Sequence, residues 1–409
     1  MQCALLDRVR EQPGGEALLG VAYEGVHLVG GAVRDLLRAE RPRELDVLVE
    51  GPIEPLLREL GGETVKHDRF ETASVRLGDA RIDVARARRE RYPHPGALPL
   101  VEPASVEEDL LRRDFTVNAI ALSLTDARMR AAPHAEVDIA RGVLRVLHEQ
   151  SFSDDPTRLL RLARYAARLG FEPQQSTAAL AAQALAARAL DTVSGARIGA
   201  ELRLALSEPD ALGALAALRD LGVLEALHPR LRFDPLLARE ALALLPADGR
   251  PDLLLMAALA LPLVLRADGD PDVELSALLN KWEFAAGDRD RVLGAAQAVV
   301  RLLHDLGMAE SPSKLGAIVG SAPVEGVALA GAHGSAEAAR SWLEDVRHVR
   351  LQIDGSDLIA AGIPEGPEIG QRLEAVLRLR LDGELAGGRE AELKAALGDT
   401  ALEAEDGRG

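Results

Sequence analysis

Between residues 20 and 125 the spacing of apolar and polar positions changes about every ten residues. GVHLVGG, residues 25 to 31, is a short apolar run ending in paired glycines, and AVRDLLRAE has a helical period. ELDVLVEG, residues 44 to 51, alternates, and SVRL and RIDVA read as further short strands. These patterns predict a small α/β domain. From about Asp154 the alternation stops, and PTRLLRLARYAARLG, STAALAAQALAARALD, GARIGAELRLALSE and DALGALAALRDLG follow as helices, with similar runs to the end. Pro, Gly and Asp cluster at HPRLRFDP (228 to 235), PADGRPD (246 to 252), RADGDPD (266 to 272), GMAESPSK (307 to 314) and DGSD (354 to 357), where breaks are expected. No fixed-period repeat stands out; the Ala/Leu similarity is compositional.

Composition supports the helical reading. Apolar residues make up 47% of the 409 and aromatics only 3%, with Ala, Leu and Arg abundant, which suits close-packed helices. A chain of this length predicts two to four units. The net charge of −17 argues against non-specific coating of nucleic acid. Residues 1 to 210 hold 28 basic and 33 acidic side chains, a net of −5, so the other −12 lies in residues 211 to 409. A nucleic-acid face is therefore expected in the first half. The lone Cys3 excludes a disulfide framework and a Cys-based zinc site, and is read as a small hydrophobe. MQCALLDRVREQ carries charge too early for a secretory signal, and no run of about 18 apolar residues occurs. A soluble, cytoplasmic chain without membrane contact is expected.

The alternation of ELDVLVEG puts Leu45, Val47 and Val49 on one face and Glu44, Asp46 and Leu48 on the other. Two carboxylates pointing the same way can grip divalent cations, although a lone ExD is more often the solvated edge of a strand. Its neighbours change the balance. Gly30 and Gly31 let backbone amides approach a ligand, the helix from Ala32 offers free N–H groups to an anion, and Arg34 adds a forked cation. Asp83, between Ile82 and Val84, supplies a third acid on another short strand. Arg86, Arg88, Arg89 and Arg91 form the densest basic stretch, suited to a triphosphate or an RNA backbone, or equally a solvated basic loop. In LLRRDFTVNAIAL, Arg112, Arg113 and Asp114 put two cations and an acceptor together, suited to phosphate and ribose; alone, RRD is a common helix-start pattern.

GGAVRDLL with ELDVLVEG, then RRDFTVNAIAL, then DDPTRLLRLARYAARLGF, resemble in order and spacing the bacterial class II tRNA nucleotidyltransferase (CCA-adding enzyme) and poly(A) polymerase family. The resemblance is close over residues 25 to 172, looser to about residue 230, and returns in GSDLIAAGIPEGPEIGQRL and LDGEL. It implies an α+β chain: a polymerase beta-like head with a mixed sheet over 1–148, a helical neck over 149–230, a helical body over 231–330 and a helical tail over 331–409. By the same resemblance Glu44, Asp46 and Asp83 are the catalytic metal ligands. Gly30, Gly31, Arg34, Arg112, Arg113, Asp114, Asp155, Arg158 and Arg161 form the nucleotide-binding set. The implied reaction adds C and A from CTP and ATP to the tRNA 3′ end without a template. Mg2+, with Mn2+ as the alternative ion, would lower the pKa of the RNA 3′-hydroxyl for in-line attack on the α-phosphate. The oligomeric state has no signature in the chain.

The family's EDxxR motif appears as DDPTR, and its chemistry can be read directly. On one helix Asp155 and Arg158, at i and i+3, address the same base edge. The carboxylate accepts and the guanidinium donates, a pattern that fits cytosine and adenine and repels guanine and uracil. Two departures stand out. Glu44 replaces the family's usual Asp, and SGARI leaves Ala196 before Arg197 where an acid is common. The first touches metal geometry; the second, neck packing or RNA contact. Alternatives remain: a CC-only or A-only half-enzyme, a poly(A) polymerase, or an inactive RNA-binding paralogue signalled by Glu44. The retained stretch 86 to 104, read as a flexible loop, disfavours CC-only addition. His304-Asp305 is similar to an HD phosphohydrolase signature, but the nearest earlier His is His228, so a helix-surface pair is expected.

Overall fold

The computed structural model describes residues 2–67, 71–265 and 271–398. Most of the break expected at RADGDPD, and the side chain of Cys3, lie outside them. The chain divides into two compact units, Met1–Pro229 and Arg230–Gly409.

The first unit is built on a seven-stranded mixed sheet. In chain order its strands are β1 (Val26–Val29), β2 (Leu45–Val49), β3 (Glu63–His67), β4 (Thr72–Leu77), β5 (Ala80–Arg86), β8 (Ile120–Ser123) and β9 (Met129–Ala131), while β6 (Arg88–Arg91) and β7 (Leu100–Pro103) form a separate hairpin. The spatial order is β3-β4-β5-β2-β1-β8-β9, with β2 and β5 parallel and the other neighbours antiparallel. Central β1 is buried at all four positions, which explains why its sequence is a continuous apolar run rather than an alternation. On β2 the face that begins with Asp46 turns apolar at Leu48. There Val29, Ala119, Ala121, Val106 and Leu110 close over it and seal the sheet beneath the helix Val106–Leu111. That helix starts at Ser105, whose hydroxyl accepts from Glu108 N while the Glu108 carboxylate accepts from Ser105 N.

The stretch 86 to 104, expected as a flexible loop, is the β6–β7 hairpin, paired in register from Arg88↔Pro103 to Arg91↔Leu100. Its arginines are matched by acids: Arg86 with Glu71, Arg88 with Glu90, and Arg89 with Glu102 and Glu108. Charge pairing rather than apolar alternation holds this ribbon together, so the hydrophobic pattern does not reveal it. After Asp154 the unit is helical as predicted, apart from Glu172–Pro173, which pairs in parallel with Val143–Leu144.

The second unit is entirely helical among its described residues. Pro251–Leu265 is apolar all round and buried along its length, and therefore works as a core helix. A fully buried Glu325 accepts from Arg250 N at 2.7 Å and pairs with Arg291 at 2.8 Å. Asp354 caps the helix Gly355–Ala360, and Ile353, Leu358, Val376 and Ala396 form a separate small core. Among the described residues no single helix is long and apolar enough to cross a membrane.

Candidate active site

The parallel pairing of β2 with β5 sets Asp46 directly beside Asp83. Glu44, two residues earlier, projects from the same face, and one carboxylate oxygen from each of the three residues lies within 4.8 Å of the others. The longer Glu44 side chain thus reaches the position of its neighbours. Asp83 accepts from Ser74 Oγ at 2.5 Å and pairs with Arg81 at 3.0 Å. Burial, the adjacent Glu44 carboxylate and Asp83 together push the Asp46 carboxyl up to about 7, against the pull of Arg113. Three converging oxygen donors, opposed only by Arg81 and Arg113, fit a hard divalent cation, whose binding would favour the ionised form of Asp46. No other group of this kind occurs among the described residues; His304 and Asp305 end the helix Ala286–Asp305 as exposed side chains.

Above β1 the chain turns through Gly30, with φ 66° and ψ −131°, into the seven-residue helix Gly31–Leu37. The backbone conformation requires glycine, and a Cβ there would lie 2.8 Å from Arg113 Nη1 and displace that guanidinium. Arg34, expected as a cation on the ligand side of this turn, is buried beneath it. Its Nε and Nη2 donate to Asp35 Oδ1 at 2.8 and 2.7 Å, and its Nη1 donates to Asn118 Oδ1 at 2.6 Å. With its fork filled, Arg34 braces the turn from below.

A cleft of about 520 Å³ opens beside the turn. Gly30, Gly31 and Asp46 line it, as do Arg112, Arg113 and Asp114, and Asp155, Arg158 and Arg161, so that of the predicted nucleotide-binding set Arg34 alone stays outside. Arg112 and Arg113 are held by Asp109, which is fully buried and touches their guanidinium groups at 2.7 and 3.0 Å. Glu90 binds Arg112 from the hairpin at 2.8 Å. The Asp114 carboxylate is fully engaged: Oδ1 accepts from Phe115 N and Asn118 Nδ2, and Oδ2 accepts from Arg161 Nε and Nη2. Burial alone would raise its pKa, but Arg161 and Asn118 prevail and hold it at about 2. Arg161 also donates to Glu201 at 3.0 Å.

Asp155 and Arg158 do share the cleft, but not one helix. Asp155 ends the short helix Ser151–Asp154 with φ −133° and ψ 91°, and Arg158 begins the helix Arg158–Leu169. Pro156 forces the break, because the residue before a proline is pushed out of the helical region. Asp155 Oδ1 accepts from Thr157 N at 3.0 Å and Thr157 Oγ1 at 2.6 Å, and pairs with Arg197 at 2.7 Å. Arg158 donates to Ser151 Oγ and to the carbonyl of Arg112, both at 2.7 Å. Neither Asp109, Glu90 nor Glu201 stood out in the sequence. Asp109 has a signal after the fact, since it lies three and four residues before the paired arginines.

A mixed sheet that carries a three-acid cluster, next to a glycine turn and an arginine-lined cleft, defines a nucleotidyltransferase-type head. Residues 26–145 match the poly A polymerase head domain. The chain is 31% identical over 398 residues to an A-adding tRNA nucleotidyltransferase of Geobacter sulfurreducens, an alignment covering 91% of this chain and 45% of that protein. It is 43% identical over 220 residues to a CC-adding tRNA nucleotidyltransferase of Deinococcus radiodurans, covering 49% and 57% of the two chains. A Thermotoga maritima CCA-adding enzyme solved with tRNA superposes with a TM-score of 0.75 at 27% identity, over 96% of this chain and 97% of that one. Residues 26–145 thus carry a poly A polymerase head domain, of a nucleotidyltransferase type that generally uses divalent metal ions, and over nearly its whole length the chain is similar to tRNA nucleotidyltransferases. It spans about half the length of the curated relatives it matches.

Proposed function

We propose that the protein adds C and A nucleotides from CTP and ATP to the 3′ end of tRNA in the cytoplasm without a nucleic-acid template. The supporting observation is that one cleft gathers Asp46, the glycine turn, Arg112 and Arg113, and the pair Asp155 and Arg158, while Glu44 and Asp83 stand beside Asp46. On this reading residues 1–148 form the catalytic head and 149–230 the neck, and 231–330 and 331–409 form body and tail, the tail engaging tRNA by shape and phosphate contacts.

Glu44, Asp46 and Asp83 would hold Mg2+, or Mn2+ in its place. When bound, the ion supplies Lewis-acid activation of the RNA 3′-hydroxyl and of the phosphate it attacks. The chain's own residues orient the partners. Gly30 and Gly31 let the triphosphate approach the backbone, and Arg112 and Arg113, braced by Asp109, face its charge. Asp155 accepts the exocyclic amine of cytosine or adenine, and Arg158 donates to the neighbouring ring acceptor. Guanine and uracil place a carbonyl and a ring N–H there and meet like polarity. Asp114 is able to take a ribose hydroxyl only if Arg161 yields one of its hydrogen bonds.

Incubating the protein with tRNA ending before CCA, after the first C and after CC, with CTP or ATP separately, tests this reading. Full CCA addition extends all three. An A-only enzyme extends the last alone, and a poly(A) polymerase continues past one A. Failure to incorporate any nucleotide with Mg2+ or Mn2+ would leave the inactive RNA-binding paralogue.

A further inference from the structure

We propose that Arg197 is a positioning residue that sets nucleotide selectivity by holding Asp155 in a one-sided hydrogen-bond arrangement and tying it to the hairpin. The inference rests on the reading of Asp155 as a base-facing acceptor and goes one residue deeper.

Arg197 stands in the first turn of the helix Gly195–Leu206 and lines the cleft. Its two terminal nitrogens serve different segments. Nη2 pairs with Asp155 Oδ1 at 2.7 Å, and Nη1 donates to the Gly96 carbonyl at 3.1 Å. Gly96 lies between β6 and β7, and it is itself fixed at three points. Its N–H donates to the Ser153 carbonyl at 3.1 Å, its φ is +70°, and a Cβ there would strike Thr192 Oγ1 and lie 2.6 Å from the Thr192 carbonyl oxygen. Arg197 therefore bridges the tip of the hairpin to the residue that follows Ser153 by two positions.

The consequence for Asp155 is chemical. Thr157 N, Thr157 Oγ1 and Arg197 Nη2 all fall on Oδ1, and Oδ2 has no protein partner among the described residues. A carboxylate oxygen with three donors is saturated. One acceptor is thus retained for a ligand, in an orientation the carboxylate cannot leave without breaking a charge-assisted bond. Arg158, whose guanidinium is anchored to Ser151 and to the Arg112 carbonyl, makes no ion pair with Asp155. The two base-facing groups are therefore held independently, and Arg197 adds a charged, long-range hold on the acceptor to the two local bonds from Thr157. Without it Asp155 keeps only its bonds to its near neighbour Thr157 and loses its tie to the helix Gly195–Leu206 and the hairpin, so the acceptor is held less firmly beside the donor.

Arg197→Met and Arg197→Lys are compared with the natural protein in two measurements. The first is equilibrium binding of CTP, ATP, UTP and GTP with Mg2+ by calorimetry. The second is incorporation on tRNA ending before CCA and after CC, with thermal melting as a check of folding. The natural protein is expected to prefer CTP and ATP. Arg197→Met is expected to lower that preference at least tenfold, with melting unchanged, and Arg197→Lys to restore part of it. Gly96→Ala, which strains the other end of the bridge, is expected to reduce selectivity in the same direction. Equal selectivity in Arg197→Met and the natural protein, or no selectivity in the natural protein, overturns the inference. Absence of incorporation by the natural protein, with selective binding intact and lost in Arg197→Met, overturns the proposed reaction and leaves the role of Arg197 standing.

Discussion

At the scale of single residues, charge sharing decides what each acid in the cleft can do. Asp46 is held up near neutrality by burial and by two neighbouring carboxylates, whereas Asp114, more fully enclosed, is held near 2 by Arg161 and Asn118. The first arrangement invites a cation; the second stores stability. Because the folded-state value of Asp114 lies below the ordinary carboxylate range, its contribution is present above about pH 4 and lost as the pH falls toward 2. Asp114→Asn is expected to cost on the order of 2 kcal/mol near neutral pH and to flatten the stability profile between about pH 4 and 2, measured by urea unfolding across that range. At the metal cluster, Asp46→Ala is expected to abolish incorporation, whereas Glu44→Asp should retain it with an altered ratio of Mg2+ to Mn2+ activity. Activity gained from nothing in Glu44→Asp would instead identify the natural chain as an inactive paralogue. That Glu44 and Asp46 share a face was legible from alternation, because a strand puts residues two apart on the same side; that Asp83 joins them was carried by the neighbouring motifs and the family resemblance, since alternation says nothing of which strands pair.

At the scale of elements, the parts that escaped the sequence reading are those organised by polar contacts between distant segments. In the hairpin β6–β7 Arg89 pairs across the ribbon with Glu102 and Arg88 along its own strand with Glu90, with no apolar stripe, so a basic stretch of the chain looks like a loop until its partners are seen. DDPTR reads as one helical turn by spacing, yet Pro156 divides it between two helices. Arg34 looked like a ligand-facing cation, but the short helix Gly31–Leu37 turns it inward onto Asp35 and Asn118. The helix Val106–Leu111 carries the least visible of these features, the buried Asp109 that holds two arginines from one turn. Asp109→Asn is expected to destabilise the first unit by about 3 kcal/mol, as for a buried ion pair losing one partner. It should also raise KM for nucleotide at least fivefold with a smaller change in kcat, read from steady-state incorporation. A loss confined to kcat would show that the two arginines act on the reaction rather than on binding.

At the scale of the molecule, the chain separates a mixed-sheet unit that carries the candidate site from an all-helical unit with its own buried core. Helical periodicity made the second half legible as helices, but which faces meet depends on small Ala and Leu contacts with no distinctive spacing. Divalent metal should then act on one unit only. Mg2+ at about ten times its dissociation constant is expected to stabilise the first unit by about 1.4 kcal/mol, seen in calorimetry as an upward shift of one transition. Asp46→Ala should remove that shift. The side-by-side placement of Asp46 and Asp83 also determines which changes of chain length the protein can absorb. Parallel neighbours need a long crossover, and the stretch between them includes the exposed positions Gly61 and Gly62. Added residues there lengthen a connection and leave the acids where they are. A single residue inserted within β5 ahead of Asp83 instead turns that carboxylate to the opposite side of the sheet. Lineages of this chain are thus free to drift in the crossover and bound to an exact count within the strand.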